Sequence, residues 1–342
     1  MVAFEGTLRA LAFARPAWRE GDRVSSTRAV QLRGVVPIVP TPFCGDESID
    51  LDGLAACVEF AVRCGVCAVC LPAYASEFYK LTEAERRQVV ETAIRAAAGR
   101  VAVIAQSNHP SARCAAELAQ RHADMGADLI SFAIPRQFPL PAADLLDYCR
   151  TICRAVERPV LIQDFNPGGP TINAEFVRVL LEECPNFRYV KLEEPLMSAK
   201  VRAIREATLD QVGVLEGWGG MYVLDLIPAG ICGLMPGLGA ADLLQTVWRL
   251  GTGGWMDDAL DLFEKVLPQL VFSLQNMELF LCLEKRLLAA RGVLAESSTH
   301  VRRPTWTPDS ETLAHGLRLN ERLLRASQLL GLPRTAGTGA EP

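Results

Sequence analysis

Lysine is scarce in this chain of 342 residues. There are five, Lys80, Lys191, Lys200, Lys265 and Lys285, among thirty-five basic residues. Arginine therefore supplies nearly all the solvated positive charge, and a lysine inside an apolar run invites a chemical reading. Histidine is scarcer still, with four, and no HExxH pair or histidine cluster offers a metal site. No GxGxxG follows the first apolar run, which sets a doubly wound open sheet behind a barrel, and no phosphate-cradling GK[ST] loop occurs. Net charge is −5, and no basic stripe is interleaved with the aromatics, which make up 7% of residues; that excludes the usual nucleic-acid footprint. No apolar run reaches the roughly 18 residues of a membrane span. The first residues, MVAFEGTLRALAFARPAWREGDRV, lack a long apolar core and a small-residue cleavage site. They do not read as a secretory signal, and Glu5, Glu20 and Asp22 among the arginines do not suit a transit peptide. The expectation is a cytoplasmic protein with no cofactor and no metal, acting on a small molecule.

Cysteine, by contrast, is plentiful. Eleven are scattered, most inside apolar runs. Cys64, Cys67 and Cys70 have a CxxCxxC spacing that a cluster site would use. Cys67 and Cys70 sit three apart on an expected strand and would face opposite sides. We read the cysteines as small buried hydrophobes in a reducing compartment.

From residue 34 to about 250, short apolar runs alternate with amphipathic segments. The expected strands are Val35–Val39, Val66–Leu71, Val101–Gln106, Leu129–Ile134, Val160–Asp164, Tyr189–Lys191, Val212–Glu216 and Ile231–Met235. They are continuous apolar runs, as for parallel strands buried on both faces. Helical patterns lie between them, several with start signals: Asp50, Thr82 with Glu85, Ser111 and Asn173. Eight βα units in about 215 residues predict a (β/α)8 TIM barrel over 34–250. Residues 251–330 predict a C-terminal helical extension, separate in pattern. Its Leu279–Leu283 stretch is apolar nearly all round, as for a helix buried against the barrel or a partner subunit. Residues 1–33 read as an irregular extension and 331–342 as a flexible tail.

In such a barrel, chemistry sits at the C-terminal ends of the strands. Lys191 ends the sixth. An arginine cannot lose its proton, but a buried lysine can, and it can then attack a carbonyl to form a Schiff base. The alternative is a strand-end lysine that snorkels to water. Around the ring stand Thr41, the turn Tyr74-Ala75-Ser76-Glu77, Gln137, Gln163, Asp164, Glu193 and Trp218.

Several of these residues carry a resemblance. Pro40-Thr41-Pro42-Phe43, a Ser76-Glu77 turn followed by Leu81-Thr82-Glu83-Ala84-Glu85-Arg86, and Val190-Lys191 ending a strand resemble the dihydrodipicolinate synthase/N-acetylneuraminate lyase superfamily. The resemblance runs over about 33–330. It implies a Schiff-base lysine at Lys191, a 2-oxo acid substrate whose carboxylate rests on the Ala75-Ser76-Glu77 turn, and a homodimer or homotetramer. The departures matter as much. The family's GTTGE turn reads Ala73-Tyr74-Ala75-Ser76-Glu77, and its strand-4 Tyr-Tyr pair aligns with Arg136-Gln137. Its strand-5 Tyr-Asn falls near Asp164-Phe165. The arginine for a second carboxylate becomes Gly168 or Gly169. These changes argue against dihydrodipicolinate synthesis and sialic acid cleavage. Ser76-Glu77-Phe78, Val160-Leu161-Ile162-Gln163-Asp164, the run Tyr189 to Pro195 and Leu215-Glu216-Gly217-Trp218-Gly219-Gly220 are similar instead to the branch of 2-keto-3-deoxy-L-arabonate dehydratases.

The remaining candidates each have a plain alternative. Glu193 shares a side with Lys191 if the strand continues, as acid/base or as an arginine's partner. Asp164 and Gln163 either touch a substrate hydroxyl or cap a loop. Tyr74 either replaces the missing relay tyrosine or packs. Ser76 either meets the substrate or caps a turn, His109 is a loop histidine, and Trp218 walls the pocket. With Gln137 unable to act as a base, Glu193 and Asp164 would supply base and acid on either side of a C3–C4 bond. Dehydration of a 2-keto-3-deoxy sugar acid is therefore expected ahead of retro-aldol release of pyruvate, and ahead of a non-catalytic barrel that binds a 2-oxo acid.

Overall fold

The structure is a computed structural model and describes residues 30–166 and 169–331. The expected stretches 1–33 and 331–342, and Gly168, lie wholly or largely outside these residues. Eight strands form one parallel sheet: β1 (Gly34–Val35), β2 (Ala68–Leu71), β3 (Ala102–Gln106), β4 (Leu129–Ala133), β5 (Val160–Phe165), β6 (Phe187–Glu193), β7 (Gly213–Glu216) and β8 (Gly233–Leu234). Their order is β1-β8-β7-β6-β5-β4-β3-β2. The seam between β1 and β2 is closed by Val39 N–H to the Cys70 carbonyl (3.1 Å) and Cys70 N–H to the Pro37 carbonyl (3.0 Å). This is the expected TIM barrel. β1 and β8 are shorter than their apolar runs, because beyond Val35 and Leu234 the ladder continues only as single bridges through Ile38.

Helices return each strand to the next. α1 (Leu51–Arg63) starts on Asp50, whose carboxylate accepts from Gly53 N–H. α2 (Glu83–Ala97) carries the full capping box of Thr82 and Glu85, and α5 (Ala174–Glu183) starts on Asn173. α3 (Ala112–Asp124) follows Ser111, whose side chain does not cap it. α4 is Ala142–Arg154, α6 Ser198–Ala207, α7 a single turn at Val223–Leu226, and α8 Ala241–Thr252. Three longer helices follow: α9 (Met256–Ser273), α10 (Met277–Ala290) and α11 (Ser310–Leu329). They are not apart from the barrel. Leu262, Leu270, Leu287 and Leu323 join one apolar cluster with Val58, Val90 and Leu244. A buried Arg291–Asp242 pair at 2.9 Å fastens the end of α10 to α8.

The strand period of two decides what each residue faces. Inside the barrel, Val36, Ile38, Cys70, Ile104, Leu129, Leu161, Tyr189, Leu215 and Met235 form a separate inner core. Cys67 precedes β2 rather than lying in it and packs against this same inner core, so the expected opposition to Cys70 does not hold. Residues 30–32 belong to no helix or strand, but Leu32 is buried in the inner core and its N–H donates to the Tyr189 hydroxyl at 3.0 Å. They plug the barrel at the end opposite the strand C-termini.

Candidate active site

Because Tyr189 faces inward, so do Lys191 and Glu193, while Val190 and Leu192 join the outer cluster. β6 does continue to Glu193, as the shared side requires. Lys191 Nζ stands 2.9 Å from Glu193 Oε1. Both are buried and line a cavity of about 320 Å³ at the strand C-termini, together with Tyr74, Ala75, Gln163 and Trp218. Gln163 is inward by the same alternation from Leu161. Its Nε2 donates to Glu193 Oε1 at 2.5 Å, and its Oε1 accepts from Gln106 Nε2 at 2.7 Å. One wall is aromatic: Tyr74 to Phe165 and Phe165 to Trp218 are each 6.0 Å between ring centroids.

Burial, and after it the charge of Glu193, push the Tyr74 hydroxyl above its ordinary pKa. Tyr74 therefore holds its proton at neutral pH and can donate it. Gly217 makes room for the reacting pair. A Cβ there would collide with Glu193 Cγ and stand 2.9 Å from Lys191 Cε.

Several candidate residues stand elsewhere, each for a physical reason. Asp164, one residue after Gln163, faces outward. Its carboxylate accepts from Arg136 Nε (2.9 Å), Arg136 Nη2 (2.6 Å) and Ile172 N–H (2.6 Å). It organises the loops after β4 and β5 and cannot be the acid at the substrate. The Ser76 hydroxyl donates to the Val39 carbonyl at 2.6 Å, and the Thr41 hydroxyl donates to the Ser76 carbonyl at 2.7 Å. Both lock the turn from behind, so neither hydroxyl is presented to the cavity. Glu77, with φ +58°, turns away and pairs with Lys285 Nζ at 2.5 Å. Gln137 is exposed on the loop after β4. His109 Nδ1 accepts from Ser111 N–H at 2.9 Å and does not line the cavity.

The roof has no counterpart among the sequence-based expectations. Leu274, Gln275, Asn276, Met277 and Phe280, from α10 and the turn that precedes it, close over the cavity. Long-range packing carries them there, and no local pattern announces it. Gln106 is visible at a strand end in the sequence, but its link to Glu193 runs through Gln163. Glu216 stands at the end of the seventh expected strand, but the sequence gives no sign of its role. It is fully buried behind β7 and accepts from Trp218 N–H (2.9 Å) and Gly220 N–H (2.7 Å), holding the wall loop. Burial pushes its pKa up to about 7, against those two hydrogen bonds. Among the described residues no group of histidine, cysteine or carboxylate side chains is arranged to hold a metal.

Known proteins share this architecture. Over 308 residues the chain is 27% identical to L-2-keto-3-deoxyarabonate dehydratase of Azospirillum brasilense, covering 88% of this chain and 99% of that protein. It is 28% identical over 242 residues to 4-hydroxy-tetrahydrodipicolinate synthase of Methanopyrus kandleri, covering 70% of this chain and 80% of that one. Dihydrodipicolinate synthase from Rhodopseudomonas palustris superposes with a TM-score of 0.80 at 24% identity, over 87% of this chain and all of that one. N-acetylneuraminate lyase from Fusobacterium nucleatum does so with 0.76 at 18%, over 85% and 99%. The model of the dihydrodipicolinate synthetase family matches residues 31–317. With barrel, inward lysine and sequence match in agreement, the chain belongs to the dihydrodipicolinate synthetase family, whose members are lyases.

Proposed function

We propose that the chain is a Schiff-base lyase that removes water from a 2-keto-3-deoxy sugar acid. The observation that carries this is the inward Lys191 Nζ, 2.9 Å from Glu193 Oε1, at the floor of a cavity with no other cationic side chain among the described residues that line it. Glu193 takes a proton from the Lys191 ammonium, and the free amine adds to the substrate's C2 carbonyl. Loss of that oxygen as water gives the iminium. Glu193, again a carboxylate, then removes a C3 proton to give the enamine. The enamine electron pair expels the C4 hydroxyl, and Tyr74 replaces Asp164 as the donor that lets it leave as water. For a pentonate, the Tyr74 phenolate then takes a C5 proton from the conjugated iminium and Glu193 returns its proton to C3, which restores both residues and leaves an enol at C4–C5. The enol tautomerises to the aldehyde, and water hydrolyses the iminium and frees Lys191.

Two features favour this substrate class. Among the described lining residues a second carboxylate or a phosphate would meet no further counter-ion, whereas the hydroxyls of a sugar acid can meet Gln275, Asn276 and the Trp218 indole. The volume of about 320 Å³ lies at the small end of ligand sites. The likeness to the Azospirillum dehydratase over almost its whole length supports the same reading. Retro-aldol cleavage needs a base on the C4 hydroxyl. Tyr74, held protonated, is a poor one. We place the enzyme in the cytoplasm as a homodimer or homotetramer; no helix of the described residues is long and apolar enough to cross a membrane.

Product analysis with 2-keto-3-deoxy-pentonate tests the reading. The expected product is the semialdehyde of 2-oxoglutarate. Pyruvate plus glycolaldehyde would make the protein an aldolase.

A further inference from the structure

Gln106 does not reach the cavity. It is 3% exposed, at the end of β3, and its side chain points into the barrel toward β5. Its amide Nε2 donates to Gln163 Oε1 at 2.7 Å, and Gln163 Nε2 donates to Glu193 Oε1 at 2.5 Å. A glutamine amide has two ends of nearly equal size, one that accepts and one that donates. A carboxylate only accepts. Gln163 must therefore offer its NH2 end to Glu193, which leaves its oxygen facing Gln106. That oxygen needs a donor, and Gln106 provides one.

The cost of this arrangement is visible. Gln106 Oε1 is buried with no hydrogen-bond partner among the described residues, and so is Ser131 Oγ on the registered neighbour strand. An orphaned buried acceptor costs about 1–3 kcal/mol. A side chain that keeps its acceptor orphaned has its donor end committed elsewhere, and here that end meets Gln163.

We propose that Gln106 is a positioning residue of this enzyme: by donating to Gln163 it fixes which end of that amide faces Glu193, and so holds the Glu193 carboxylate on the Lys191 amine. This rests on the Schiff-base reading above, though not on the choice between dehydration and cleavage. Replacing the donor with a second acceptor reverses the amide. In Gln106→Glu, Gln163 turns its NH2 toward residue 106 and presents its oxygen to Glu193. Two oxygens then oppose each other, and the carboxylate is displaced or protonated.

The test uses pyruvate, which can form the iminium and the enamine but has no C4 to lose. Exchange of its C3 protons in D2O, followed by NMR against pH, reports the base; cyanoborohydride trapping reports the Lys191 adduct. In Gln106→Glu, exchange near neutral pH is expected to fall about a hundredfold, the effect of misplacing a reacting group by an ångström. The acid limb of its pH profile should move to higher pH, with the final extent of trapping unchanged. A profile that superimposes on the wild type overturns the proposal, as does a fall in exchange and melting temperature with the limb unmoved. If Gln106→Glu does not fold, Gln106→Met decides: a roughly tenfold loss of exchange with trapping retained supports the role, and unchanged exchange rejects it. A wild-type chain with neither adduct nor exchange instead removes the Schiff-base reading itself, and the proposal with it.

Discussion

Two lysines are buried in this molecule, and they are opposites. Lys191 has one carboxylate partner, Glu193, and opens on a cavity. Lys285, on α10, is fully buried and saturated. Its ammonium pairs with Glu77 at 2.5 Å, donates to the His300 carbonyl at 2.7 Å and lies 4.5 Å from the centre of the Phe43 ring. Burial lowers the Lys285 pKa, while Glu77 opposes that shift. Burial alone therefore does not make a lysine reactive. A nucleophile needs a neighbour that can take its proton and space for a carbonyl carbon. Lys191 has both, whereas Lys285 has no space for a substrate. The two are connected, since Glu77 ends the Tyr74–Ser76 turn that forms part of the cavity wall. One lysine performs the proposed chemistry, and the other holds part of its wall.

Substitution separates them. Lys191→Met should reduce turnover on the order of 10⁴-fold or more, the scale seen when a nucleophile is removed, while the urea midpoint changes little. Steady-state kinetics and urea denaturation on one preparation check both halves. Lys285→Met should do the reverse. It leaves Glu77 buried with Lys80 at 3.1 Å and the Arg302 N–H at 3.2 Å as remaining partners, and costs about 3 kcal/mol of folding stability, the low end for a broken buried pair. Turnover falls less, chiefly through a raised KM as the turn shifts. The double variant Glu77→Gln/Lys285→Met should recover much of that stability. Equal stability losses in the two lysine variants would erase the distinction.

A smaller effect concerns pH. Glu216 is fully buried behind the wall loop, and Glu284 is buried beneath the β8 loop, where its carboxylate accepts from Gly239 N–H at 2.6 Å. Burial raises each from 4.5 to about 7. Between those values the folded chain binds more protons than the unfolded one. The stabilisation is complete below 4.5 and is lost as pH rises to about 7. A shift of that size corresponds to roughly 3 kcal/mol per group. Glu216→Gln should therefore reduce the fall in stability between about pH 5 and about pH 8 by that order. Urea midpoints at the two pH values measure it, and an unaltered fall would show that Glu216 does not titrate there.

The barrel is legible in the sequence because apolar runs of strand length alternate with capped helical patterns. The inward pair Lys191 and Glu193 is legible from the period of two, given a strand that continues. The same rule removes Asp164 once Gln163 is placed inside, because adjacent residues on one strand cannot both face the cavity. Ser76 does lie in the expected turn and Thr41 after the first strand, but their hydroxyls are bonded to carbonyls that only the closed barrel brings near, Val39 and Ser76. Lys285 follows the apolar stretch Leu279–Leu283 within Glu284-Lys285-Arg286, which carries no local signal of burial, and its partner lies 208 residues away. The roof at Leu274–Met277 and the Gln106–Gln163 link likewise depend on contacts between distant segments.

Each lysine has a carboxylate that can take its proton, and access to a cavity, rather than burial, singles out Lys191. Borohydride reduction in the presence of pyruvate or a 2-keto-3-deoxy acid, followed by peptide mass mapping, puts this to the test. One adduct per chain is expected, on the peptide carrying Lys191, and none on the peptide carrying Lys285. No adduct at Lys191, or an adduct at Lys285, would contradict it.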